Sequence, residues 1–298
     1  MITLKMAGAA LILALTVTTQ AMEMGLPDAA VIEKLTGLKG KANEKEGVFK
    51  VQMPRSDIKL EVADTKVTPP MGLTCWAAFK KAGETTMVMG DIVLLQDQID
   101  AVMDAALNNG LDVTALHNHF TFDNPRIMFM HIGGTGKERD LAAAVGKVFA
   151  AIKETAGGKG RIPKARVDPA KSKLMPNKLE AILGKGEFKE GIFKVTIGRT
   201  TKMHGHEVGK EMGVNTWAAF AGTDQQAVAD GDFAMLESEL QDVLKALRNA
   251  GISIVALHNH MTREEPRIMF LHFWGTGKAE ELAKGIKGAL AKTAVGKQ

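Results

Sequence analysis

The sequence predicts an α+β protein made of two homologous repeats, each a mainly antiparallel sheet covered by helices. Three observations carry that expectation. The same motifs recur in the same order in both halves of the chain. Apolar, β-branched runs bounded by Gly alternate with amphipathic segments. The 298 residues, 45% hydrophobic and 24% charged with a single Cys and net charge +4, have a globular composition that excludes disorder, collagen and a disulfide scaffold.

The duplication rests on spacing. The first copy runs Gly47-Val48-Phe49-Lys50-Val51, Trp76-Ala77-Ala78-Phe79, Gly90-Asp91, Ala115-Leu116-His117-Asn118-His119 and Pro125-Arg126-Ile127-Met128-Phe129-Met130-His131. The second runs Gly191-Ile192-Phe193-Lys194-Val195, Trp217-Ala218-Ala219-Phe220, Gly231-Asp232, Ala256-Leu257-His258-Asn259-His260 and Pro266-Arg267-Ile268-Met269-Phe270-Leu271-His272. The separation from Trp76 to His131 equals that from Trp217 to His272. So long a period means two domains, or two halves of one pseudo-symmetric domain.

Taken in order, each unit begins with a short helix, at residues 31–35 and 178–183. In the second copy residues 193–197 and 215–221 read as strands. Residues 233–250 then read as an amphipathic helix, with Leu236, Leu240, Val243, Leu244 and Leu247 at helical spacing and Gly251 as the stop. Residues 252–258 and 267–273 follow as strands, and residues 279–290 as a closing helix. The unit is therefore approximately β-β-β-α-β-β-α. Gly134-Thr135-Gly136-Lys137 and Gly275-Thr276-Gly277-Lys278 lack the spacing of a phosphate loop and read as strand-to-helix turns. The repeats are expected at 22–154 and 176–298. Residues 155–175, rich in Gly, Pro and positive charge, read as a solvated linker.

The chain opens with Lys5, an apolar run over residues 6–17 and the small-residue stretch Thr18-Thr19-Gln20-Ala21. This is the pattern of a signal peptide covering residues 1–21, so the protein is expected to be exported, periplasmic or secreted, with no stable membrane span once the signal is cleaved. No Cys follows the run, which argues against a lipobox. Cys75, in an apolar stretch, reads as a small core residue. Aromatic content of 5% with no Tyr, and the small charge excess, speak against a nucleic-acid partner.

All eight histidines fall in short motifs. His258 and His260 stand at i, i+2 at the end of a strand, so their rings can share a face, and His272 lies on the next strand. Three imidazoles so placed suit a divalent transition metal, with zinc the first choice. His204-Gly205-His206 adds a further pair that the first copy lacks around Leu60, Glu61 and Val62. His117, His119 and His131 then form a possible second, degenerate site. Glu207, Glu264 and Glu265 are candidate carboxylate ligands or bases. Arg126 and Arg267 are candidate clamps for a small anionic ligand, with ion pairs to Asp91 or Asp232 as the alternative.

The motifs Trp-Ala-Ala-Phe, Gly-Asp, Ala-Leu-His-Asn-His and Pro-Arg-Ile-Met-Phe-(Met/Leu)-His resemble the LppY/LpqO family, a domain of unknown function that occurs in tandem in exported bacterial proteins. The resemblance covers both repeats and implies tandem domains and export; it implies no activity. Lipoprotein members of that family carry an anchoring Cys that this chain lacks. Two functions follow from the residues. One is an exported metal-binding protein with its site in the second repeat. The other is a metal-dependent enzyme acting on a small acidic substrate, with Arg267 as clamp and Glu207 or Glu265 as base.

Overall fold

A computed structural model describes residues 25–295. The segment read as a signal, residues 1–21, lies outside the described residues. The first repeat comprises α1 (Ala29–Thr36), β1 (Gly40–Asn43), β2 (Val48–Pro54), β3 (Leu60–Val62), β4 (Thr65–Val67), β5 (Thr74–Ala82), β6 (Thr85–Leu95), α2 (Ile99–Asn108), β7 (Asp112–His117), β8 (Asp123–Asn124), β9 (Ile127–Gly136) and α3 (Glu138–Glu154). The second repeats this order as α4 (Pro176–Leu183), β10 (Glu187–Lys189), β11 (Ile192–Gly198), β12 (Thr201–Met203), β13 (His206–Val208), β14 (Asn215–Gly222), β15 (Ala227–Leu236), α5 (Leu240–Asn249), β16 (Ser253–His258), β17 (Glu264–Glu265), β18 (Ile268–Gly277) and α6 (Ala279–Leu290). The class is α+β with antiparallel pairing, as the sequence indicates. Beyond the expected strands, each unit adds an outer strand (β1, β10) and a three-stranded sheet, β4-β3-β8 or β13-β12-β17.

The two repeats share one 12-stranded sheet in the order β1-β2-β5-β6-β9-β7-β16-β18-β15-β14-β11-β10. They meet where β7 runs antiparallel to β16, with Leu116 opposite Leu257. Such a joint relates the halves by rotation about the sheet normal, so corresponding faces lie on the same side. Alternation along β5 shows the two faces. Cys75, Ala77 and Phe79 are buried under the helices, whereas Trp76 and Ala78 are half-buried on the other side. The helices form one layer, with α1 and α2 on α3, α4 and α5 on α6, and α2 touching α5 across the joint. Cys75 is fully buried, and burial pushes its thiol up to about 11.

Side chains lock the joint. Gln241 of α5 brackets the backbone of Val113 on β7, accepting from its N–H at 3.0 Å and donating to its C=O at 2.9 Å. Arg248 donates to both carboxylate oxygens of Asp104 at 2.8 and 3.0 Å and pairs with Asp100 at 2.8 Å. The Ser253 hydroxyl donates to the second oxygen of Asp100 at 2.7 Å.

Three expectations need correction. The segment 233–250 is not one helix. Residues 233–236 finish β15, where Phe233 and Met235 pair with Leu271 and Met269, and a 3-10 turn at Glu237–Glu239 leads into α5. The apolar spacing of Leu236 and Leu240 runs on through that change although the two bury on opposite faces, Leu236 with Val208, Val214 and Phe270 and Leu240 in the main core under the helices. The Gly-Thr-Gly stretches end β9 and β18 rather than forming turns, and Lys137 and Lys278 alone join strand to helix. His204-Gly205-His206 corresponds to Ala63-Asp64-Thr65, not to Leu60–Val62, since β12 matches β3.

Candidate metal centre

The site is assembled by sheet register. On the open face Trp217 stands opposite Asp232, Asp232 opposite His272, and His272 opposite Ala256, so one row crosses β14, β15, β18 and β16. His258 is two residues beyond Ala256 and keeps to the same face. Behind the row, on the helix-covered face, Gly231 leaves space for the Phe273 ring, which a Cβ there would hit along with the Trp217 carbonyl. The result is a group of Asp232, His258 and His272 whose ligand atoms all lie within 4.8 Å of one another. His260 joins it from just past the strand end, with Nε2 at 3.3 Å from Asp232 Oδ2; the Nε2 of His258 is 3.8 Å from the same oxygen.

The rings are held from behind. The Nδ1 of His272 lies 3.3 Å from the Gly231 carbonyl, and that of His260 lies 3.2 Å from the Gly213 carbonyl. An Nδ1–H donated to a backbone oxygen selects the tautomer whose Nε2 lone pair is free, the usual preparation of a ligating imidazole. His260 also stacks on Phe270 at 3.6 Å, and His258 on His272 at 4.6 Å between centroids. Val208, Val214 and Phe270 form a small core beneath this edge of the site.

Electrostatics mark the same residues. Asp232 is 3% exposed and its Oδ1 has no hydrogen-bond partner, nor has the buried Nδ1 of His258. Burial raises the Asp232 carboxyl to about 6, against the favourable pull of His272 and His260. Burial, reinforced by the neighbouring His272 and His260, lowers His258 to about 4. A carboxylate oxygen and a neutral imidazole, both buried and lacking partners in one place, fit a cation. Nitrogen and oxygen donors of this kind suit Zn²⁺ or another divalent transition ion.

The first repeat carries the counterparts. Asp91 lies between Trp76 and His131 in register, and His131 is opposite Ala115. His117 and His131 stack at 5.1 Å, and His119 lies on Phe129 at 3.3 Å. Burial lowers the pKa of both His117 and His119. Asp91 is only half-buried, although its Oδ1 also lacks a partner. Each group opens on a pocket. The one at Gln52, Trp76, Asp91 and His119 measures about 440 Å³, and the one at Thr196, Asn215, Trp217, Asp232 and His260 about 280 Å³. Beside them a lysine covers each indole, Lys50 at 4.1 Å from Trp76 and Lys194 at 4.6 Å from Trp217.

The remaining candidates stand elsewhere. His204 and His206 are exposed at the turn of the β12–β13 hairpin, where His204 and Gly205 have φ of 51° and 81°. They are not in the Asp232 group. Glu207 and Glu265 are exposed, and Glu264 is buried with Oε1 accepting from the Ile268 N–H at 3.3 Å. Arg126 and Arg267 are exposed and form no ion pair with Asp91 or Asp232. The carboxylate that the group does use, Asp232, was marked in sequence only as half of a repeated Gly-Asp pair and as an ion-pair partner for arginine, not as a ligand. That it recurs beside the histidines in both copies is the signal that points to it.

Fold and site thus define a tandem α+β protein with an Asp/His group on the open face of each repeat. The chain belongs to the family described as Domain of Unknown Function (DUF1259), which matches residues 30–151 and 177–292. No curated protein matches it. Among solved structures it shows a likeness to the trimeric bacterial microcompartment shell protein PduB, at 14% identity over 84% of this chain and 88% of that one, with a TM-score of 0.21. A likeness at that level carries no argument here.

Proposed function

We propose that this is an exported metal-binding protein that holds a divalent transition ion, zinc first, at Asp232, His258 and His272, with His260 as a fourth donor. The observation that carries the reading is the buried, unpartnered Oδ1 of Asp232 beside imidazoles whose Nδ1 atoms are already engaged by backbone carbonyls. Export is supported by Lys5 and the apolar run over residues 6–17. Within the DUF1259 family, the His-Asn-His and Pro-Arg-Ile-Met-Phe motifs support kinship with LppY and LpqO. The test is metal analysis of protein purified from its native compartment, followed by calorimetry of the metal-free chain with Zn²⁺. Stoichiometric binding that His258→Ala/His272→Ala abolishes supports the site, and equal affinity in that variant rejects it.

One observation favours a second reading, a metal-dependent enzyme. The 280 Å³ pocket reaches Asp232 and His260 and includes Lys194, so an anion could sit against the metal with its charge met by that ammonium. This replaces Arg267 as the clamp. Zinc bound with an exchangeable water would support it.

A further inference from the structure

A further cavity lies at the seam between the repeats, and none of the histidines of either group lines it. It measures about 540 Å³, the size of a site for a small organic molecule. The first repeat supplies Ile99, Asn118, Arg126 and Met128. The second supplies residues 253–256 of β16 and Trp274 of β18, and the linker closes it with Arg161, Ile162 and Pro163.

Three features show a built site rather than a surface dent. The linker wall is fixed, since the Arg161 N–H donates to the Asp97 carbonyl at 2.9 Å and Gly160 lies so close to Asp97 that a Cβ would clash with its backbone. Exposed apolar groups gather here, with Ile162 at 52%, Val255 at 45% and Trp274 at 37% exposure. The charges do not balance. Asp100, the lining carboxylate, is held by Arg248 and Ser253, whereas the guanidiniums of Arg126 and Arg161 form no ion pair among the described residues. The seam is also asymmetric, because the first-repeat position corresponding to Trp274 is Gly133, which leaves the mirrored location without an aromatic wall.

We infer that this seam pocket binds an amphipathic organic anion, an aromatic carboxylate whose ring lies against Trp274 and Met128 and whose charged end is met by Arg126 and Arg161. Guanidinium forks match a carboxylate in two hydrogen bonds, and an aromatic body is what a largely apolar cleft with one indole wall accepts. The site is independent of any metal.

The experiment is calorimetry of the full chain with 2-naphthoate and with its uncharged amide. The expected result is one saturable site for the carboxylate, with the amide at least tenfold weaker. Arg126→Gln and Arg161→Gln each weaken binding about fivefold or more, and Trp274→Gly, which installs the residue of the first repeat, does the same. His258→Ala/His272→Ala leaves 2-naphthoate affinity unchanged. All these positions are exposed or half-buried, and circular dichroism of each variant confirms folding before titration. Absence of saturable binding, equal affinity for the amide, or affinity that survives the double Arg→Gln change overturns the assignment. So does binding that follows the histidines instead.

Discussion

Asp232 on β15 stands directly opposite His272 on β18, and Asp91 holds the same relation to His131 in the first repeat. In the second repeat this pairing buries a carboxylate to 3% exposure with one oxygen unpartnered. Folding raises the Asp232 pKa from 3.8 to about 6, so the metal-free fold loses stability as pH rises across that window and carries the full penalty above it. Asp232→Asn should therefore abolish metal binding while stabilising the metal-free chain at pH 7.5, by about 1–3 kcal/mol. Urea unfolding with chelator, paired with Zn²⁺ calorimetry, checks both halves. A variant less stable than the parent in chelator would show that the carboxylate has a structural partner.

Metal affinity should depend on pH through the same group. A proton on Asp232 competes with the ion, so affinity falls as pH drops through about 6, by about tenfold per unit below it. His258, lowered to about 4, stays neutral through that range and adds to the loss only near pH 4. Zn²⁺ titrations from pH 7.5 to 5 read this directly. An affinity flat to pH 5 would remove Asp232 from the ligand set.

The hairpin histidines should be dispensable. His204→Ala/His206→Ala is expected to leave Zn²⁺ affinity within about twofold, because both rings are exposed at a turn outside the Asp232 group. Calorimetry beside His258→Ala/His260→Ala provides the contrast. A large loss from the hairpin variant would mean that the loop closes over the metal.

The two repeats should bind unequally. Asp232 is buried and touched by His258 and His260, whereas Asp91 is half-buried and no histidine lies within ion-pair distance of it. His117→Ala/His119→Ala should remove only a weaker site, and His258→Ala/His260→Ala the tighter one, by about tenfold or more in Kd. Competition with a coloured chelator separates them. The reverse order would place the principal site in the first repeat.

Arg248→Ala should weaken the seam. The side chain is 8% exposed and serves two carboxylates and the Ile252 carbonyl, so its loss leaves Asp100 and Asp104 without their cation, at a cost of about 3 kcal/mol. Denaturant unfolding measures it. A loss under about 1 kcal/mol would show that the apolar contacts of Leu116 and Leu257 suffice to join the halves.

How far the sequence was readable depended on whether a signal was local. Duplication, the closing helix at residues 279–290 and the gathering of histidines all follow from spacing within one segment. Asp232 is far from His258 and His272 along the chain, and only strand order makes it their neighbour, so no short motif announces it. The position of His204 and His206 was hidden for the opposite reason. Their i, i+2 spacing places rings on one face only in extended backbone, and positive φ at His204 and Gly205 makes this segment the turn of a hairpin instead. The helix boundary at Leu240 was hidden because Leu236, which packs with Val208 and Phe270 on the open face, happens to fall at helical spacing from Leu240 in the main core.

The joint between β7 and β16 bears on how such a chain arises. A single unit would end at a strand carrying buried Val113 and Leu116, with neither proline nor lysine to discourage pairing, and such an edge recruits another copy of itself. Fusion turns that association into an intramolecular one that no longer depends on concentration. It also frees the two sides to diverge. Arg248 corresponds to Leu107 and its partner Asp104 to Lys245, so the ionic clasp exists on one side of the pseudo-axis and has no mirrored twin. Two identical subunits would have to carry such a clasp twice or not at all.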